Sequence, residues 1–180
     1  GNCPVFYQVD QDRLAPYVEM GLTLIRVGEQ ARVPLANLGL DGVARSHLLG
    51  PHEGLHQAGC RLEILTGELS PKLVEELAKI SRNWLAGRGG DEPASSLVQH
   101  SAGFPQRSAL ALVRRGEEVV AYADLRRTAR REEVCVDRVR YVLEGPQDIL
   151  VYLTVELMLW GHEYGYRWLN LGLAPMSGVE

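Results

Sequence analysis

Residues 60–87, CRLEILTGELSPKLVEELAKISRNWLAG, carry the clearest local order in the chain. CRLEIL alternates apolar and polar residues as a half-buried strand does. Ser70 followed by Pro71 then opens a helix: the serine side chain can cap free backbone N–H groups, and the proline stands where its missing N–H is no loss. Leu73, Leu77, Ile80 and Trp84 recur at spacings of four, three and four, which makes one apolar stripe, and Gly87 supplies a stop. The segment predicts a strand followed by a helix of about four turns.

Working outward, GRGGDEPASS at 87–96 is rich in turn formers and reads as a flexible connection. ALALVRR and EEVVAYADL surround Gly116 as an antiparallel hairpin, and VCVDRVRYV at 134–142 supplies a third strand. Asp148 can cap a helix whose stripe is Ile149, Leu150, Leu153, Leu157 and Trp160, ending near Gly165. RWLNLGLA at 167–174 is a last strand. From residue 60 the order is strand, helix, three strands, helix, strand, which predicts an α/β (α+β) mixed sheet with at least two helices packed on it. Trp84 and Trp160 fall on the helix stripes and are expected in the core.

The upstream third is less regular. VFYQV at 5–9 has strand composition, Asp12 offers a cap for a short helix in RLAPYVEMG, and Gly21 ends it. LTLIRV and ARVPL flank GEQ at 28–30 as two extended runs around a turn. In LDGVARSHLLGPHEGLHQAGC, residues 40–60, Gly50, Pro51 and Gly54 interrupt any helical period. Its histidines His47, His52 and His56 are spaced by five and four, so His52 and His56 alone could share a helix face. No carboxylate stands in a recognised ligand position nearby, and surface or cap histidines, with no metal, are the expectation.

Composition bounds the rest. The 180 residues are 46% apolar and 23% charged, an ordinary globular balance for one compact unit or pieces of two. The longest apolar run, ILVYLTVELMLW at 149–160, contains Glu156 and is shorter than the ~20 residues of a membrane-spanning helix. GNCPVFYQVD, at the start, has neither the basic end nor the apolar core of a signal peptide, so the chain is expected to carry no export signal of its own. Cys3, Cys60 and Cys135 are odd in number and irregularly spaced, and read as reduced thiols in a cytosolic setting. A net charge of −4 argues against bulk nucleic-acid binding. Arg126, Arg127, Arg130 and Arg131 still form a local basic run, read either as a solvated face balanced by Glu132 and Glu133 or as a phosphate-binding group.

Several motifs, in order along nearly the whole chain, resemble one family. FYQV with GLTLIRVGEQARVPL, ISRNWLAGRGG, VDRVR and LMLWGHEYGYRWLNLGLAPMSGV are similar to the C-terminal cytoplasmic domain of the lysylphosphatidylglycerol and alanylphosphatidylglycerol synthases, the bacterial multiple peptide resistance factors. The resemblance implies two N-acetyltransferase-like folds in tandem, attached to an N-terminal membrane domain at the cytoplasmic face of the inner membrane. Residues 1–40 then correspond to the closing section of the first fold, 41–59 to a connecting segment, and 60–180 to most of the second. The chain is expected to be a fragment, soluble and inactive by itself, since the second fold lacks its closing helix and last strands.

The implied reaction moves lysine or alanine from aminoacyl-tRNA, the co-substrate, to the glycerol hydroxyl of phosphatidylglycerol, with no other cofactor. Such an ester exchange needs a base for the attacking hydroxyl and donors for the oxyanion, and Arg can hold the lipid phosphate through paired hydrogen bonds. Asp137 and Arg140 match the family's Asp-x-x-Arg motif and are the candidate catalytic pair. Residues three apart on a regular strand face opposite sides, so both reach one site only if the strand bends, bulges or ends between them. A cross-strand charge pair is the structural alternative. Arg138, Asn170, Ser177, Arg126 and Arg127 are the candidate substrate-binding residues, with Pro175 and Ser177 in a close turn after the last strand.

Two departures stand against the family pattern. Val151 occupies a position where the family commonly has an acidic residue, and EPASSLV places Ser95 before Ser96 where the family has a Phe-Ser turn. These leave open a non-catalytic module that binds lipid headgroup or tRNA. A coenzyme A-dependent acyltransferase is a third reading. It finds no Gly-rich pyrophosphate loop, since GRGGDEP follows a helix and EGPQD is short.

Overall fold

The computed structural model describes residues 4–6, 9, 11–36, 38, 43–88 and 108–178. Cys3 and the stretch 89–107, which holds Ser95, Ser96 and most of the expected flexible connection, lie outside the described residues. Six strands, β1 (Gly28–Pro34), β2 (Cys60–Leu65), β3 (Ser108–Arg115), β4 (Glu118–Arg127), β5 (Glu133–Tyr141) and β6 (Trp168–Pro175), form a mixed sheet in the order β1-β6-β5-β4-β3-β2. Among the described residues four α-helices accompany them: α1 (Ala15–Glu19), α2 (Val43–Gln57), α3 (Pro71–Ala86) and α4 (Ile149–Glu163). From Cys60 onward the order of the described elements matches the sequence expectation. No described helix is long and apolar enough to cross a membrane.

Contacts divide the chain into two compact units, residues 32–171 and residues 1–31 with 172–180. In the larger unit β2, β3, β4 and β5 run antiparallel in succession, and β5 pairs in parallel with β6. A parallel neighbour demands a crossover, and α4 provides it. Gly116, with φ of 62°, takes the first central position of the two-residue loop that joins β3 to β4, where a left-handed backbone suits the strand twist.

Alternation on the strands builds a core on each face. On one face Ala109, Ala111, Val113, Ala123, Leu125, Val134 and Val136 meet Ile149, Tyr152, Leu153 and Leu157 of α4. On the other, Leu110, Leu112, Val119 and Tyr122 meet Leu73, Leu77 and Ile80 of α3. The small residues of β3 and β4 let α4 approach closely, and so this helix is buried on several sides: Val155 is fully enclosed, whereas Leu150, placed on the stripe by the sequence, is exposed. The Ser70 cap forms as expected, with Leu73 N–H donating to its Oγ at 3.3 Å. Asp148 does precede α4, but in a left-handed conformation, φ 61°, with no side-chain cap.

Residues 43–57 correct the sequence expectation. They form a helix of 15 residues in spite of Gly50, Pro51 and Gly54. Its intrinsic propensity is poor, since glycine costs about 1 kcal/mol and interior proline about 3 kcal/mol relative to alanine. Packing on α4 and β2 supplies what propensity lacks: Leu55 closes on the α4-side core, and the His52 ring stacks on Tyr152 at 5.0 Å.

The smaller unit also departs from expectation. Pro4–Phe6 and Val9 are irregular rather than strand, and the Phe6 ring packs edge-on against Tyr17 of α1 at 4.8 Å. Asp12 lies inside a 3-10 turn, Gln11–Arg13, and Leu14 takes the helix N-cap instead. Gly21 ends the helical segment with φ of 74° as expected. The GEQ segment is not a turn: it begins β1, and residues 22–27 before it are irregular.

Three stability measurements follow from this packing. Leu77→Ala removes a side chain that is 1% exposed and is expected to cost about 2–5 kcal/mol in urea denaturation, whereas Ser70→Ala is expected to cost about 1 kcal/mol. Pro51→Ala restores a backbone donor inside α2 and is expected to raise stability by roughly 1–3 kcal/mol; an unchanged denaturation midpoint would show that α2 has absorbed the proline without loss.

Candidate functional site

Strand β5 carries the candidate catalytic pair, and its local geometry decides which way each side chain points. Val134 and Val136 lie in the α4-side core, and Val139 packs against the same core. A regular strand has one residue between two on the same face; here Val136 and Val139 enclose two. The register with β4 shows why. Val136 is opposite Leu125 and Arg138 is opposite Asp124, so the pairing skips Asp137. Asp137 is the extra residue of a β-bulge. The strand therefore turns Asp137, Arg138 and Arg140 toward the α3 side together, resolving the three-residue spacing.

Each of the three has a distinct environment. Asp137 Oδ1 accepts from Arg126 Nη2 at 2.8 Å, and both side chains are about half exposed, 48% and 60%. Such a pair is screened and contributes roughly 0–1 kcal/mol, which leaves the carboxylate accessible. Arg138 Nε lies 3.3 Å from Asp124 Oδ2 on the neighbouring strand, and this pair is largely buried, at 17% and 15% exposure. Arg140, opposite Tyr122, donates from Nη1 to the carbonyl of Val139 at 2.9 Å and lies over the Trp84 ring at 4.3 Å. Three residues of strand separate Asp137 from Arg140 by roughly 10 Å. They can bracket a substrate from two ends.

Trp84 does not enter the core. Its ring lies beneath two guanidiniums, Arg140 and, at 4.5 Å, Arg88, while Arg88 Nη2 donates to Tyr141 Oη at 3.1 Å. Sequence periodicity missed this because a stripe position at a helix end looks apolar whether it faces a core or a cation. The signal was the neighbouring Arg88, four residues on and just past the helix C-cap at Gly87. Trp160 is likewise only partly buried; it packs on the α4-side core and stacks with Tyr164 and Tyr166.

At the start of β5 a second polar group is assembled. The parallel ladder joins Glu133, Val134 and Cys135 to Trp168, Leu169 and Asn170. Asn170 is 3% exposed and donates from Nδ2 to Glu133 Oε1 at 3.2 Å. Glu133 Oε2 pairs with Arg32 at 2.8 Å, and the Arg32 guanidinium lies 4.9 Å above Trp168. Asn170 thus holds the strand-end network as well as facing the α3 side. Among the described residues Cys60 and Cys135 are free thiols; burial pushes both up from the ordinary thiol range, against the pull of nearby arginines, Arg115 and Arg61 for Cys60 and Arg126 for Cys135.

The remaining candidates part company. Arg127 follows Arg126 but faces the opposite side of the sheet, where its Nη2 donates to the Ser108 carbonyl at 3.4 Å. There it lines a pocket of about 450 Å³ with Arg131, Thr66, Trp160, Tyr164 and Tyr166. The basic run is therefore split between two faces, because consecutive strand residues alternate. Arg126 joins Asp137, and Arg127 does not. Ser177 belongs to the smaller unit, in a turn after β6, and its Oγ donates to Glu29 Oε2 at 3.1 Å, with Glu29 also paired to Arg26 at 2.6 Å. Gly28 is needed there, since a Cβ at that position would collide with the Ala174 carbonyl.

Known proteins resemble the chain over its whole length. A family model described as phosphatidylglycerol lysyltransferase, C-terminal, matches residues 1–180. The phosphatidylglycerol lysyltransferase of Bacillus subtilis (strain 168) is 28% identical over 180 residues, 99% of this chain and 21% of the relative. That of Staphylococcus haemolyticus (strain JCSC1435) is 28% identical over 177 residues, 97% of this chain and again 21% of the relative. The chain thus spans about a fifth of these relatives. Among solved structures, L-PGS from Bacillus licheniformis superposes with a TM-score of 0.78 at 28% identity, covering 97% of this chain and 53% of that one. The C-terminal domain of a putative lysylphosphatidylglycerol synthetase from Agrobacterium fabrum gives a TM-score of 0.78 at 25% identity, covering 94% and 54%. With the fold, the ordered motifs and a match over its full length in agreement, this chain belongs to the phosphatidylglycerol lysyltransferase C-terminal family.

Proposed function

We propose that the chain is part of an aminoacyltransferase that moves lysine or alanine from aminoacyl-tRNA to the glycerol hydroxyl of phosphatidylglycerol. The observation that carries this reading is the bulge at Asp137, which turns an accessible carboxylate and two guanidiniums to one face in a chain of this family. Asp137 takes the proton of the lipid hydroxyl as its oxygen attacks the aminoacyl carbonyl carbon. The ester bond to the tRNA ribose breaks, and the proton passes to the departing ribose oxygen. Arg140, aligned by the Trp84 ring, supplies donors to the lipid phosphate or the developing oxyanion, and Arg138 adds positive potential beside it. Val151, half-buried in the first turn of α4, has no proton to give, so transfer falls to Asp137.

Aminoacyl-tRNA is the co-substrate, and the reading calls for no further cofactor. In the whole protein this part works at the cytoplasmic face of the bacterial membrane beside an N-terminal membrane domain. Residues 1–40 close a first acyltransferase-like repeat, 41–59 connect, and 60–180 form most of a second. A coenzyme A-dependent acyltransferase has less support. Asp148 stands at the N-terminus of α4 with Glu144 shortly before it, and a pyrophosphate there would meet negative charge.

The test is lipid aminoacylation by the full-length protein with charged tRNA and phosphatidylglycerol vesicles. Asp137→Ala is expected to lower the rate by about 10²-fold or more. Arg140→Lys keeps the charge but loses the planar fork, and is expected to fall well below wild type. Wild-type turnover by both variants would remove this pair from the mechanism.

A further inference from the structure

Two histidines on α2 and a glutamate on α4 meet on the side of the sheet away from Asp137. Four residues apart on a helix, His52 and His56 lie on one face, their rings 6.0 Å apart and inclined by 29°. Glu156, distant in sequence, reaches across from α4 and places Oε1 2.7 Å from His52 Nε2. One ligand atom from each of the three lies within 4.8 Å of the others. We propose that His52, His56 and Glu156 form a binding site for a divalent first-row transition metal of the zinc class, tying α2 to α4.

The donor set and its surroundings support the assignment. Two imidazoles and one carboxylate suit zinc and its neighbours better than the all-oxygen cations calcium and magnesium. Tetrahedral zinc with bonds of about 2.0–2.2 Å spaces its ligand atoms roughly 3.3 Å apart. In the cluster the ligand atoms all lie within 4.8 Å of one another, close to that spacing. One wall is fixed: His52 stacks on Tyr152 at 5.0 Å and 15°, and the fully buried Tyr152 donates its hydroxyl to the Cys60 carbonyl at 2.8 Å. The opposite side, at the exposed His56, is open, which leaves a fourth position for water or an exogenous ligand.

A His52–Glu156 hydrogen bond by itself accounts for two of the three residues. It leaves His56, whose ring has no hydrogen-bond partner among the described residues, without a task. A metal engages all three. It would add a cross-link to the packing that already holds this glycine- and proline-containing helix on α4. The site is independent of the aminoacyl-transfer reading, for its residues and the β5 face lie on opposite sides of the sheet.

The experiment titrates chelator-treated protein with CoCl2 and follows the visible bands of tetrahedral cobalt, then displaces cobalt with ZnCl2 and records the melting temperature. One equivalent is expected to bind without a thiolate charge-transfer band, and zinc is expected to raise the melting temperature. His56→Ala, an exposed change that leaves the His52–Glu156 bond in place, should weaken binding beyond the ~10–100-fold that outer-shell changes cause. Glu156→Gln should do the same, and His47→Ala, on the same helix outside the cluster, should bind as wild type. Absence of the cobalt bands, binding indifferent to His56→Ala, or equal weakening by His47→Ala would each overturn the assignment.

Discussion

Val136 and Val139 both belong to the core beneath α4, yet two residues separate them. That is the constraint on which the rest depends. Burial of both valines on one face cannot be reconciled with regular pleating, and the strand accommodates it by letting Asp137 bulge out of register with β4. Apolar burial on the far side of the sheet thereby sets the direction of the charged groups on the near side. An acid and a guanidinium that a flat strand would send to opposite compartments come to share one.

The sheet separates two chemistries. Toward α3, β4 and β5 present Asp124, Arg126, Asp137, Arg138 and Arg140, a surface of alternating charge with Trp84 at one end. Toward α2 and α4 the same strands present alanine, valine and leucine, until the pocket at Arg127 and the cluster at His52. Small side chains on β3 and β4 bring α4 close enough for Tyr152 to reach the Cys60 carbonyl, and that ring in turn orients His52. Packing on one side and polar order on the other are consequences of one alternation.

Much of this order is legible in the sequence where local signals and tertiary demands agree. Ser70 and Pro71 open α3 because the cap and the missing N–H act within one turn, and the β3–β4 hairpin follows from a glycine between two apolar runs. The failures are places where a distant partner overrules the local preference. Gly50 and Pro51 argue against a helix, but α4 offers α2 a surface that the local sequence does not reveal. GEQ looks like a turn in isolation and is strand in context. For the candidate site, VDRVR names the residues without saying which way they face, since the bulge depends on valines meeting a helix that comes later in the chain. Arg126 and Arg127 read as one basic patch and serve two faces.

The guanidiniums of Arg88 and Arg140 lie over a single indole, one from just past the end of α3 and one from β5. Tryptophan emission responds to charge close to the ring, and here two cations bear on the same chromophore. Displacement of either by an arriving anion changes the field at Trp84. The molecule therefore carries its own optical reporter beside Arg140, with Trp160 and Trp168 set apart among other partners.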